Sequence, residues 1–137
     1  MEPYVHRVNY YETDAMRVTH HSNYIRFMEE ARTDYLERLG LGYDKMEADG
    51  LASPVMGLEC KYLKPTTYAD RIQVYLYVAG HSALKIVFGY VMKVRGEVVF
   101  TAESTHCFVD GNKRPVSLER VYPDFFKRLL ALQAPKD

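Results

Sequence analysis

The chain has 137 residues, enough for one domain with a single sizeable core and too few for two. Eighteen Lys and Arg balance eighteen Asp and Glu, which argues against nucleic acid, or any other polyanion, as the main partner. Cys60 and Cys107 are the only cysteines and have no CxxC spacing, so free thiols in a reducing compartment are expected rather than a disulfide framework.

The opening MEPYVHRVNYYE has no apolar leader segment. No apolar run approaches the roughly 20 residues that a membrane helix needs. A soluble, cytoplasmic protein without a membrane partner is expected. Residues 4–11, YVHRVNYY, predict a first strand. From Ser22 to Leu39 the apolar residues Tyr24, Phe27, Met28, Ala31, Tyr35, Leu36 and Leu39 recur at steps of three and four, the spacing of a helix. Ser22 or Asn23 can cap its start and Gly40 its end. At 1.5 Å per residue the helix would be about 27 Å long. Its Glu29, Glu30, Arg32, Glu37 and Arg38 read as a solvated face with local ion pairs.

After a loop through EADGLASP, four strands are predicted at 55–63, 71–78, 83–94 and 97–109, with Ile72, Val74, Leu76 and Val78 on one face of the second. The short connections KPTTYAD, AGHS and RG predict antiparallel neighbours in a meander. The segment from 117 to 132 reads as helical in part, restarted at Pro123. One sheet face would wrap the long helix, and the terminal helix would be left to cover the other. Tyr75, Tyr77 and Tyr90 would then be partly exposed unless another subunit covers them, which predicts at least a homodimer. Twelve Tyr against no Trp suit such half-buried faces and subunit contacts.

Chemistry concentrates in residues 11–24, YETDAMRVTHHSNY. His20 and His21 are adjacent rather than four apart, so they cannot ligate one metal from one helix face, and no metal or cofactor is expected. No nucleophile elbow, dinucleotide fingerprint or phosphate-binding loop occurs. A helix start offers unpaired backbone N–H groups and a partial positive charge that can stabilise an oxyanion. Asp14 lies eight residues before Ser22, in a loop able to fold back over that start. A carboxylate beside such a helix end is a minimal acyl-transfer site. One carboxylate can suffice for a thioester, because a thiolate leaving group, from a thiol of pKa near 8.5, departs without a placed acid. The alternative reading of Asp14 is a turn former or a partner of the helix dipole. His20 and His21 read equally as loop residues, Asn23 as a cap, and Tyr24 as core.

YYETDAMRVTHHSNYIRFMEEAR resembles the motif of the 4-hydroxybenzoyl-CoA thioesterase-like branch of the hotdog fold, which includes Tol-Pal-associated acyl-CoA thioesterases. YLKPTTYADRI and FVDGNKRPVSL resemble later segments of the same family, so the resemblance spans nearly the whole chain. It implies a single α+β hotdog domain over residues 1–137, a long central helix wrapped by a five-stranded antiparallel sheet, assembled as a homodimer or homotetramer. It implies an acyl-CoA substrate and thioester hydrolysis. Asp14 matches the family's catalytic aspartate, nucleophile or general base. His21 matches the residue whose backbone N–H polarises the thioester carbonyl. Asn23 and Tyr24 match a pair that fixes the loop and packs beneath the site.

Arg17 stands where the family has glycine, so either the loop differs or Arg17 reaches into the acyl or CoA channel. Glu12 replaces the first acid of the motif. Lys61 and Lys64, with Arg71, Lys113 and Arg114, are candidates for the CoA phosphates or plain surface charges. Two rival readings are a non-hydrolytic acyl-CoA-binding or regulatory hotdog protein and a hotdog dehydratase.

Overall fold

The computed structural model describes residues 1–136. Strand β1 (Tyr4–Arg7) leads through a 3₁₀ turn (Tyr10–Glu12) to helix α1 (Asn23–Arg38) and short helix α2 (Tyr43–Ala48). Strands β2 (Val55–Tyr62), β3 (Arg71–His81), β4 (Lys85–Val94), β5 (Glu97–Val109) and β6 (Pro115–Val116) follow, then helices α3 (Leu118–Val121) and α4 (Pro123–Leu130). The first predicted strand is thus shorter than residues 4–11, because the chain turns at Tyr10. Helix α2 and the two-residue β6 have no counterpart among the expected elements.

Helix α1 forms because its apolar stripe has a sheet to bury against. Phe27, Met28 and Ala31 are fully buried, and Tyr24, Tyr35 and Leu36 nearly so. Phe27, Met28 and Leu36 each contribute roughly 1.5–3 kcal/mol of burial free energy. The helix ends in a Schellman turn. Gly40, at φ +99°, donates its N–H to Glu37 O (3.1 Å) while Leu41 N–H reaches Leu36 O (2.9 Å). The left-handed conformation there suits glycine.

The sheet is antiparallel throughout, in the order β1-β3-β4-β5-β2, with β6 paired to the end of β5. A long helix wrapped by such a sheet is the hotdog arrangement. The meander holds for β3, β4 and β5, but β2 does not neighbour β3. It lies across the sheet beside β5, and residues 63–70 cross the sheet end to reach β3. Leu63 and Lys64 both donate to Val99 O (3.0 Å each), and the far end is tied to β1 by Val8 N–H to Asp70 O (2.9 Å). Sequential strands joined by a short loop read as neighbours, but eight residues suffice to span the four strands at about 4.8 Å spacing.

The terminal helix does not cover the second face. Phe125, Phe126 and Leu129 of α4 join the same buried cluster as α1, and Arg128 Nε donates to Leu39 O at the end of α1 (3.0 Å). The opposite face is left to half-exposed residues such as Tyr75 and Tyr77. Tyr90 is not among them: it is fully buried, on the inner face with Phe88 and Met92. Arg32 also departs from the solvated face expected of it and is buried. Glu30 is half-buried, accepting from Tyr4 Oη (2.6 Å). Burial and this carboxylate push the Tyr4 phenol well above its ordinary value. Among the described residues no helix is long and apolar enough to cross a membrane.

A polar chain crosses the inner face of β4 and β5. Arg32 Nη1 donates to Tyr90 Oη (2.9 Å), which shares a hydrogen bond with Ser104 Oγ (2.6 Å). Ser104 Oγ lies 2.8 Å from His106 Nε2, and Ser53 Oγ lies 3.5 Å from His106 Nδ1. Burial, then the Arg32 charge, hold the His106 imidazole down at about 4. The folded protein therefore binds fewer protons than the unfolded chain between about pH 6.5 and 4. His106 contributes its full share of stability above that window and loses it as pH falls through it. Its expected slope is at most about 1.4 kcal/mol per pH unit. Urea midpoints measured from pH 7 to 4 should fall more steeply for the wild type than for His106→Gln.

Candidate active site

The segment before α1 is a small hairpin closed on itself. Thr13 pairs with Thr19, and Asp14 N–H donates to Val18 O (2.8 Å) while Arg17 N–H donates to Asp14 O (2.9 Å). Asp14 Oδ1 accepts the Met16 N–H at 2.8 Å, the side-chain turn that Asp commonly makes. Arg17 has φ +67°, the left-handed residue of a turn-and-bulge hairpin that normally selects glycine. The loop therefore keeps the backbone of a glycine position with an arginine in it, at a cost of about 1–2 kcal/mol. Its Arg17 side chain is exposed and has no hydrogen-bond partner among the described residues.

Several contacts hold this hairpin to the helix start. Glu12 O accepts both His20 N–H (2.8 Å) and Asn23 Nδ2 (2.9 Å). Thr67 Oγ1 donates to Arg17 O (2.8 Å). Thr19 shares a side-chain hydrogen bond with Thr66 (2.6 Å), and Tyr24 Oη does the same (2.8 Å). The crossing loop at 63–70 thus supplies half of the scaffold, which is the structural consequence of placing β2 at the far edge.

Asn23 and Tyr24 are both buried. Asn23 straps the hairpin to α1 and accepts from Arg26 Nη1 through Oδ1 (3.2 Å). Tyr24 stacks on Phe100 with ring centroids 4.8 Å apart, and burial raises its phenol pKa. Ser22 occupies the cap position without capping by its side chain. Its hydroxyl lies 2.9 Å from His20 Nδ1 instead. Tyr62 Oη donates to the His21 carbonyl (2.9 Å). The His21 backbone N–H has no acceptor among the described residues. It sits one residue before the cap of a 16-residue helix, where the helix dipole favours negative charge.

The basic candidates do not gather here. Lys61, next to the inward Tyr62, projects to the outer face and lines a shallow depression with Glu59, Tyr77 and Glu103. Lys64 pairs with Glu97 (2.7 Å). Arg71 lies at the start of β3, and Lys113 and Arg114 in the turn before β6.

Two buried clusters were not legible as site components. His6 is stacked on Phe27 at 4.0 Å and sits between Glu12 (Nε2 to Oε1, 2.8 Å) and Glu30 (Nδ1 to Oε1, 3.2 Å). Glu12 Oε1 also accepts the Asn9 N–H (2.7 Å), so this cluster fixes the residue whose carbonyl holds the helix start. The second cluster is the Arg32 chain. A signal for it existed in the twofold spacing of Phe100, Ala102, Ser104, His106 and Phe108, which places two polar residues on an inward face.

The profile of the thioesterase-like superfamily matches residues 8–131. A protein of Aquifex aeolicus named "Putative esterase" is 38% identical over 110 residues, 80% of this chain and 86% of its own length. A protein of Bacillus subtilis named "Putative acyl-CoA thioesterase YneP" is 34% identical over 120 residues, 86% of this chain and 87% of its own length. The structure of a DHNA-CoA thioesterase from Staphylococcus aureus superposes with a TM-score of 0.86 at 32% identity, covering 96% of this chain and 91% of that one. With its hairpin, its long helix and every strand of the sheet except β1 inside the matched span, the chain belongs to the thioesterase-like superfamily.

Proposed function

We propose that this protein hydrolyses acyl-CoA thioesters to the free acid and CoA at the junction of the 13–19 hairpin and α1. The observation that carries the reading is the His21 N–H, left without an acceptor among the described residues at the start of a long helix and beside the Asp14 hairpin. A thioester carbonyl placed against that N–H gains a hydrogen bond as its oxygen becomes an oxyanion. Asp14 supplies the attacking chemistry. One of its oxygens is held by Met16 N–H, which orders the carboxylate, and the other has no hydrogen-bond partner among the described residues. That oxygen either takes a proton from water or attacks the carbonyl itself, with water then cleaving the anhydride. CoA leaves as a thiolate and needs no placed acid. The relatives' names support the CoA thioester as substrate class.

We also propose assembly as at least a homodimer. Strand β2 pairs with β5 on one side only, so its other edge offers unpaired backbone groups. Val55, Met56 and Leu58 on it are exposed apolar side chains. The opposite sheet face, with Tyr75 and Tyr77, is a further candidate contact.

Asp14→Asn retains the acceptor for Met16 N–H, so the hairpin should persist while kcat for CoA release, followed with a thiol-trapping dye, falls about 100-fold or more. Full activity in that variant would overturn the Asp14 role. If the wild type binds acyl-CoA yet frees no thiol, hydrolysis itself is excluded. Arg17→Gly should stabilise the fold by up to about 1 kcal/mol in urea titrations by relieving the left-handed arginine. It should also raise KM for acyl-CoA with kcat unchanged if the exposed guanidinium meets the CoA phosphates. Light scattering should give a mass of two or four 15.9 kDa chains; a monomer mass would exclude the assembly.

A further inference from the structure

A cavity of about 280 Å³ lies between α1, α2 and the chain entering β2, lined by Arg32, Tyr43, Met46, Leu51, Ser53 and Val55. Arg32 is only 7% exposed and always charged, yet among the described residues no carboxylate lies within ion-pair distance of it. Its partners are two phenols: Nη1 donates to Tyr90 Oη (2.9 Å) and Nε to Tyr43 Oη (3.2 Å). The second terminal nitrogen, Nη2, has no hydrogen-bond partner among the described residues. Because Tyr43 Oη is already accepting from Arg32, its own proton is left to donate elsewhere. The Ser53 hydroxyl lies at the same wall, 3.5 Å from His106 Nδ1. No buried side-chain nitrogen is left unpaired among the described residues, so Nη2 opens to the cavity, where an anion would offset the cost of a largely buried cation that has no counter-ion.

We infer that this cavity binds the carboxylate of a small apolar monocarboxylate, the anion on Arg32, Tyr43 and Ser53 and its body on Met46, Leu51 and Val55. The Arg32 guanidinium, with the Tyr43 proton beside it, favours an acceptor at that wall, and the three apolar side chains suit a compact hydrocarbon or aryl group. Glu29 and Glu47 also line the cavity. Both are exposed, so water and salt screen them, while Arg32 acts at contact range. What repulsion remains grows with ligand charge and so weighs more on a dianion such as phosphate than on a monocarboxylate. Such a group has two sources, a free acid or an acyl-CoA whose acyl chain ends in a carboxylate. Only the second rests on the thioesterase reading.

The test is calorimetric titration of the full chain with benzoate, with benzamide as the uncharged control and the Met46 methyl resonance as a local reporter. Benzoate should bind at least about tenfold tighter than benzamide and move the Met46 signal. Arg32→Met and Tyr43→Phe should each weaken it about tenfold. No benzoate binding, equal binding of benzamide, or unchanged affinity in a folded variant would overturn the site. Should Arg32→Met fail to fold, Tyr43→Phe decides, since it removes one hydroxyl from a half-buried ring. To identify the source, kcat/KM for ω-carboxyacyl-CoA is compared with that for the unsubstituted acyl-CoA of equal length. A preference lost in Tyr43→Phe identifies the acyl group, and benzoate binding without such a preference identifies the free acid, either outcome supporting the site. Absence of turnover with every thioester would sink the catalytic reading and leave the benzoate result standing.

Discussion

The constraint on which this fold depends is that one long helix must bury its apolar stripe against one face of one sheet. Phe27, Met28 and Ala31 are excluded from water completely, and an amphipathic helix of this length has little stability in water without such a surface. The sheet curls around it, and α4 extends the same core instead of opening a second one. Placing β2 at the far edge follows from that enclosure. The return loop at 63–70 is then carried across the sheet end, under the start of the helix, and becomes part of the scaffold there.

That loop turns a packing solution into a site. Residues 13–19 are a short hairpin with little core of their own, and what holds them is polar: Thr66 and Thr67 from the crossing loop, and the Glu12 carbonyl shared between His20 and Asn23. With those groups engaged, the His21 N–H is one of the donors that lack an acceptor among the described residues, at the place where the helix dipole reinforces it. Holding Arg17 at positive φ is tolerated because contacts on both sides of the hairpin over-determine its backbone.

Polar groups inside the core divide into two sets with different consequences. His6, Glu12 and Glu30 form a set in which an imidazole lies between two carboxylates, and its effect is to position the Glu12 backbone. The Arg32 set has only neutral partners, and it holds His106 neutral at ordinary pH by adding a fixed positive charge to an already dry site. Networks of this kind are worth keeping only if every member finds a partner. That is why the guanidinium's remaining donor and the adjoining cavity belong to one question.

The order of the main elements apart from α2 and β6, the extent of α1 from its three-and-four spacing, its stop at Gly40 and the placement of Asp14 and His21 ahead of it were legible in the sequence, because each is set by neighbours a few residues away. The resemblance added the family and so the shape of the sheet. Tertiary structure alone decided that β2 pairs with β5, that α4 shares the core of α1, and that Tyr90 and Arg32 turn inward. Strand pairing is a choice among distant partners that local periodicity does not encode. An arginine on a helix reads as solvated until the two phenols that receive it, Tyr43 from α2 and Tyr90 from β4, are brought to the same place. Arg17 shows both levels at once: its identity against a glycine motif is written in the chain, while its left-handed backbone exists only because the hairpin around it is held shut.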